Sequence, residues 1–121
     1  MIMVMRNLIK AFKALSDETR LRILNILLAQ ECCVCEVMQA LDISQTRASR
    51  NLALLYDAGF LKLRKEGLWS FYSINDKNLE DYQIDMVRAI KKSLERNPLT
   101  ILDRERLQRA ERIGPGCTTK T

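Results

Sequence analysis

Two short apolar-periodic stretches separated by three turn-forming residues constrain this chain more than any other feature. Val34, Val37, Met38 and Leu41 fall on one side of a helix running roughly from Val34 to Leu41. Asp42-Ile43-Ser44 then breaks the period, and Ala48, Leu52 and Leu55 begin a new stripe in a helix from Gln45 to Tyr56. Ser44 offers the short oxygen-bearing side chain that caps a helix N-terminus. Two short helices joined by so tight a turn form a helix-turn-helix, and the second helix turns Gln45, Thr46, Ser49 and Arg50 outward.

The flanking segments complete the expected fold. Met1, Met5, Leu8, Phe12 and Leu15 draw one stripe along a first helix; Ser16 or Asp17 then caps a second, whose Leu21, Ile23, Leu24, Leu27 and Leu28 form a broad core face up to Ala29. After Ala58-Gly59, residues Leu61 to Arg64 alternate apolar and basic, and Leu68 to Ile74 is aromatic and apolar. With Glu66-Gly67 at its tip this reads as a two-stranded hairpin with a basic outer surface, a wing. Trp69, Phe71 and Tyr72 are expected to pack in the core rather than stack on nucleic-acid bases. A helix is predicted from about Lys77 to Arg96, with Leu79, Tyr82, Met86, Ile90 and Leu94 on one face; Pro98 interrupts it, and a densely charged helix follows from about Leu99 to Ile113. The predicted fold class is therefore mainly α with a small β-hairpin, a winged helix-turn-helix. Residues 1–97 are expected to form the DNA-binding and dimerisation domain, and 98–121 a charged helix and a tail carrying Cys117. The chain has 121 residues, one domain's worth, and the stripes of the first helix and of Leu79 to Leu94 find no partner within it, so a homodimer is expected.

Composition removes most catalytic alternatives. There is no histidine, which excludes Ser-His-Asp and Cys-His catalysis, the HExxH zinc site and every imidazole metal site, and no enzymatic activity is expected. Lys and Arg exceed Asp and Glu by 20 to 15, a net +5 that favours an anionic partner. Gln45 and Ser49 are assigned to base edges, and Ser44, Thr46, Arg47 and Arg50 to phosphates of double-stranded DNA. Lys62, Arg64 and Lys65 of the wing add contacts in an adjacent groove, and a dimer implies a two-fold symmetric operator. No apolar run approaches the roughly 20 residues that span a bilayer, and Arg6 interrupts the opening apolar stretch, so a cytoplasmic protein with no membrane partner is expected.

The remaining signal is the thiols. Cys32, Cys33 and Cys35 crowd together while Cys117 lies far away, a pattern that suits metal binding or redox chemistry rather than a disulfide framework. An all-thiolate set selects thiophilic arsenic, antimony, cadmium or lead over nickel and cobalt. Residues two apart on a regular helix point about 200° apart, so Cys33 and Cys35 are expected to share one ion only if the helix start unwinds, whereas Cys32 and Cys35 share a face. The helix dipole favours their thiolates, and adjacent Glu31 and Glu36 oppose it.

In order, ALSDETRLRILNIL, ECCVCEVMQAL, SQTRASRNLALLYDAGFL and KEGLWSFYSI resemble the ArsR/SmtB metalloregulatory repressors over roughly Leu8 to Ile74. The arsenic-sensing branch carries a box like ELCVCDL. Glu31, Cys33, Val34, Cys35, Glu36 and Val37 fill equivalent places here, and Cys32 stands where leucine is usual. The resemblance implies a transcriptional repressor released from its operator when As(III) or Sb(III) binds cysteine thiolates as inducer, with no organic cofactor. Some members carry a third cysteine where this chain has Met38, so Cys32 or Cys117 would have to supply a third sulfur. Arg47 replaces a usually small residue and Asn51 a frequent histidine, and the family's histidine-dependent C-terminal zinc site is absent from this sequence. Alternative readings are a cadmium, lead or zinc sensor that adds Cys117 as a fourth ligand, and a thiol redox switch.

Overall fold

The computed structural model describes residues 2–113. The elements run α1 (Ile2–Leu15), α2 (Glu18–Ala29), β1 (Cys32–Cys33), α3 (Val34–Leu41), α4 (Gln45–Asp57), β2 (Leu61–Glu66), β3 (Trp69–Ile74), α5 (Asp81–Leu94) and α6 (Pro98–Arg109). This is the expected helix-turn-helix, α3 and α4, followed by the expected wing, β2 and β3. No helix among the described residues is long and apolar enough to cross a membrane.

The turn between α3 and α4 forms because each of its residues satisfies a helix end. Asp42 closes α3 in the left-handed region at φ 57°, a conformation that aspartate tolerates, and Ile43 N–H donates to the Met38 carbonyl at 3.1 Å. Ser44 Oγ then accepts the Arg47 N–H at 3.1 Å, capping α4. Asp17 does the same for α2, accepting from Arg20 N–H at 3.0 Å. Ser44→Ala should therefore cost about 1 kcal/mol in a urea unfolding curve; an unchanged midpoint would mean that the hydroxyl does not cap.

The core lies between α2, the inner faces of α3 and α4, and the sheet. Ile23, Leu24, Ile26, Val37, Ala40, Ala48, Leu52, Leu55 and Phe60 are all fully buried. Gly59 makes the exit from α4 at φ +88°, where a side chain would be strained and its Cβ would come to 3.3 Å from Gln83 Nε2. In the hairpin Leu61 pairs with Ile74 and Glu66 with Trp69, so the tip is the two residues Gly67 and Leu68. α1 packs through Ala11 and Ala14 and leaves Met5 and Phe12 more than half exposed.

Three features depart from the sequence expectations. First, Cys32–Cys33 is a short strand that pairs antiparallel with β3, Cys32 opposite Tyr72 and Cys33 opposite Phe71, giving a sheet of order β1-β3-β2. Second, α5 starts at Asp81 rather than near Lys77. Asn78 N–H turns back to the Asn75 carbonyl at 3.0 Å, and Gln83 Oε1 accepts the Glu80 N–H at 2.9 Å, which sets the helix start there. Third, α6 ends at Arg109 rather than Ile113, because the Gln39 side-chain amide takes over the backbone of Glu111, accepting its N–H at 3.0 Å and donating to its carbonyl at 2.7 Å. α6 itself packs on α2 and α3, with Leu107 in the core and Asp103 fully buried against Arg22.

Candidate thiol site and nucleic-acid interface

Strand β1 hands directly into α3, and that junction decides where the thiols point. Side chains of adjacent strand residues face opposite sides of a sheet. Cys32 accordingly enters the main core beside Tyr72, its Sγ 3.6 Å from the Gln30 carbonyl, while Cys33 faces the other side with Phe71 and Trp69. Cys33 is the N-cap of α3, extended at φ −85° and ψ 170°, and Cys35 sits in the first helical turn. Their Sγ atoms stand 3.0 Å apart. Two metal–sulfur bonds of about 2.3 Å can bridge up to roughly 4.6 Å, so both sulfurs can reach one soft ion as they stand.

This corrects two of the geometric expectations. The 200° divergence of Cys33 and Cys35 presumed that both lie in the helix; with Cys33 outside it, the pair converges and the helix start stays wound. Cys32 and Cys35 do not share a helical face, since Cys32 belongs to the strand and points into the opposite layer. Cys117 lies outside the described residues. Among the described residues no group of three or more cysteine, aspartate or glutamate side chains is placed to hold a metal ion.

Burial, not the helix dipole, sets the acidity of these thiols. It pushes the Cys33 thiol up to about 11, against backbone N–H groups of Glu36 and Cys35 that favour the thiolate, and the Glu36 carboxylate adds to the rise. Burial drives Cys32 further up still. Glu36, itself buried, accepts the Cys33 N–H at 2.9 Å and the Arg112 Nε–H at 3.1 Å through Oε1. The Phe71 ring is stacked on Trp69 at 6.1 Å and sandwiched by cations, with the Arg64 and Arg112 guanidinium carbons each 4.5 Å from its centroid. Glu36, Gln39, Phe71 and Arg112 thus frame the pair, and sequence reasoning assigned none of them to it. The acid at the third helical position, a capping-box signature, was the one available signal.

α4 presents Ser44, Thr46, Arg47, Ser49 and Arg50 to solvent with Gln45 half-buried, the face on which the sequence places DNA contacts. Arg47 is also braced from behind, its Nη2 donating to the buried Thr19 hydroxyl at 2.7 Å. Asn51 faces inward: it accepts from Arg20 Nη1 and donates to the Arg47 carbonyl, both at 2.9 Å, and so ties α4 to α2. On the wing Lys65 is exposed and Lys62 is exposed with Asp76 3.6 Å away. Arg64 is drawn back over Phe71 by ion pairs to Glu31, at 2.8 Å, and to Glu66. Among the wing cations it is the one whose contact with DNA would require breaking bonds seen here. Trp69 is half-buried and Phe71 buried, in keeping with packing rather than base stacking.

Residues 17–63 match the family model described as bacterial regulatory protein, arsR family. The chain is 44% identical over 72 residues to a cadmium resistance transcriptional regulatory protein CadC homolog of Staphylococcus aureus, covering 59% of this chain and 60% of that protein. It is 32% identical over 77 residues to the arsenical resistance operon repressor of Bacillus subtilis, covering 63% of this chain and 73% of that one. It spans 51–60% of the length of four of the curated relatives it matches. Among solved structures, the winged helix-turn-helix DNA-binding domain of a possible regulator from Mycobacterium bovis superposes with a TM-score of 0.66 at 24% identity, covering 80% of this chain and 86% of that domain.

Proposed function

The chain belongs to the ArsR family of bacterial regulatory proteins, and on that premise we propose that it is a cytoplasmic transcriptional repressor, not an enzyme. It binds operator DNA as a homodimer and releases it when As(III) or Sb(III) is taken up by Cys33, Cys35 and a third thiol, Cys32 or Cys117. The observation that carries this reading is the 3.0 Å approach of Cys33 Sγ and Cys35 Sγ at the start of α3. α3 is the first helix of the helix-turn-helix, and it hands over to the DNA-facing α4 through only Asp42, Ile43 and Ser44. A ligand that repositions the start of α3 therefore acts on the support of α4. A coupling of about 1–3 kcal/mol would weaken DNA binding roughly 5- to 150-fold.

DNA contact is assigned to Ser44, Gln45, Thr46, Arg47, Ser49 and Arg50 of α4, with Lys62, Lys65 and Arg64 on the wing. The exposed apolar side chains of α1, Val4, Met5, Ile9 and Phe12, together with Ile84 of α5, supply an apolar surface for a second copy. A second reading, a cadmium-responsive repressor, is favoured by the similarity to the staphylococcal cadmium-resistance regulator.

Fluorescence anisotropy of the reduced protein on DNA from upstream of its gene, titrated separately with arsenite, cadmium and peroxide, tests these readings. Arsenite is expected to release the DNA, and Cys33→Ser or Cys35→Ser to abolish that release while leaving DNA affinity intact. Release by cadmium alone would establish the second reading, and release by peroxide alone would replace both with a redox switch.

A further inference from the structure

Two sulfurs of the pair converge, and a trigonal As(III) site needs a third. Cys32 is poorly placed to give it. Its side chain lies on the opposite face of β1, and turning it round would mean slipping the strand by one residue, which would send Cys33 into the core in exchange.

The other side of the pair is spanned by the chain after α6. Glu111 is gripped at both its N–H and its carbonyl by the Gln39 side chain, and that carbonyl lies 3.7 Å from Cys35 Sγ. One residue on, Arg112 binds the buried Glu36 at 3.1 Å and lies over Phe71. These contacts bring residues from opposite ends of the sequence together at the thiols and carry no part of the core. Cys117 follows Arg112 by five residues, and five residues of extended chain reach about 17 Å, ample to return to the pair.

We propose that residues 110–113 form a clasp, held by Gln39, Glu36 and Phe71, that delivers Cys117 as the third sulfur, so that the arsenite site joins α3 to the C-terminal segment. The proposal rests on the reading of As(III) as inducer. In the binding step As(OH)3 exchanges its three hydroxyls for three thiols: each S–H proton leaves with one hydroxyl as water, three As–S bonds replace three As–O bonds, and no electron is transferred. The clasp makes the third donor intramolecular, and the same contacts tie the bound site to α3.

Arsenic-edge X-ray absorption of the reduced full-length protein loaded with one equivalent of sodium arsenite per chain counts the sulfurs directly, and competition with a small dithiol gives the affinity. The intact protein should show three sulfurs. Cys117→Ser should show two sulfurs and one oxygen, with affinity lowered about tenfold or more, as expected for loss of a tethered donor. Cys32→Ala should keep three sulfurs, and Gln39→Ala and Arg112→Ala should keep the sulfur count while lowering affinity several-fold. Three sulfurs in Cys117→Ser, two in Cys32→Ala, or undiminished affinity in both clasp variants would overturn the clasp. Full arsenite uptake by Cys33→Ser and Cys35→Ser would instead overturn the inducer reading beneath it. Circular dichroism and melting of each variant separate loss of the site from loss of the fold.

Discussion

Asp103→Ala should destabilise the protein by about 3–5 kcal/mol, a large fraction of the 5–15 kcal/mol that holds a domain of this size together. Asp103 has no solvent exposure, and the Arg22 guanidinium grips both its oxygens, Nε to Oδ2 at 2.9 Å and Nη2 to Oδ1 at 2.8 Å. Arg22 also donates to the Leu41 carbonyl at 3.2 Å, so one fork ties α2, α6 and the last turn of α3. The Asp103 hydrogen bond holds the Arg22 pKa above its ordinary value, although burial works the other way. Removing the carboxylate strands a mostly buried cation, and that penalty rather than the lost attraction dominates. The Arg64–Glu31 pair has the same 2.8 Å separation but stands in solvent, where screening and side-chain entropy leave it little net effect. Urea unfolding followed by circular dichroism decides the matter: a loss under about 1 kcal/mol would mean that the site relaxes or hydrates once the carboxylate is gone. Replacing both partners, Asp103→Leu with Arg22→Met, should recover much of the loss, because no charge is then left unpaired.

The buried pair also shows what kind of information sequence periodicity carries. α3 was legible to the residue and α4 to within one, because an apolar stripe and a capping side chain both mark them, and both are local. Asp103 looked like one more charge on a polar helix, since nothing within α6 signals that Arg22, eighty-one residues earlier, meets it. The strand Cys32–Cys33 is too short to show a period of two, so its residues read as the start of a helix, and the thiol geometry was inferred with the wrong rule. One strand residue made the difference: an extended Cys33 brings its sulfur onto Cys35, whereas a helical one would have sent it away. Likewise the end of α6 is set by Gln39, a long-range partner that no C-terminal stop signal encodes. The residue types for soft-ion chemistry could be read along the chain; their arrangement depends on strand pairing between Cys33 and Phe71, which is tertiary.

Cadmium affinity should strengthen by at least about tenfold for each unit of pH between roughly pH 6 and 8, while arsenite affinity should stay nearly flat over the same range. The contrast follows from the protonation of the buried pair. With its pKa pushed to about 11 by burial, the Cys33 thiol keeps its proton throughout that range. A divalent cation binds thiolate, so it must expel that proton to solution, and each proton released steepens the dependence by a further factor of ten per pH unit. As(OH)3 is neutral and brings its own acceptors: each thiol proton leaves bound to a hydroxyl as water, and no net proton is released. Burial therefore discriminates against the cation twice, through the cost of removing the proton and through the cost of placing charge beside Phe71 in a low-dielectric layer. The buried Glu36 lowers the second cost for a cation, but Arg112 already neutralises it. Competition titrations at pH 6.5 and 7.5 measure both slopes. A flat cadmium slope would show that Cys33 is already a thiolate at neutral pH, and an arsenite slope as steep as the cadmium one would show that hydroxide exchange is not how arsenic enters. A pH-flat arsenite response together with a weak, pH-steep cadmium response at pH 7 would make proton retention by Cys33 the origin of selectivity.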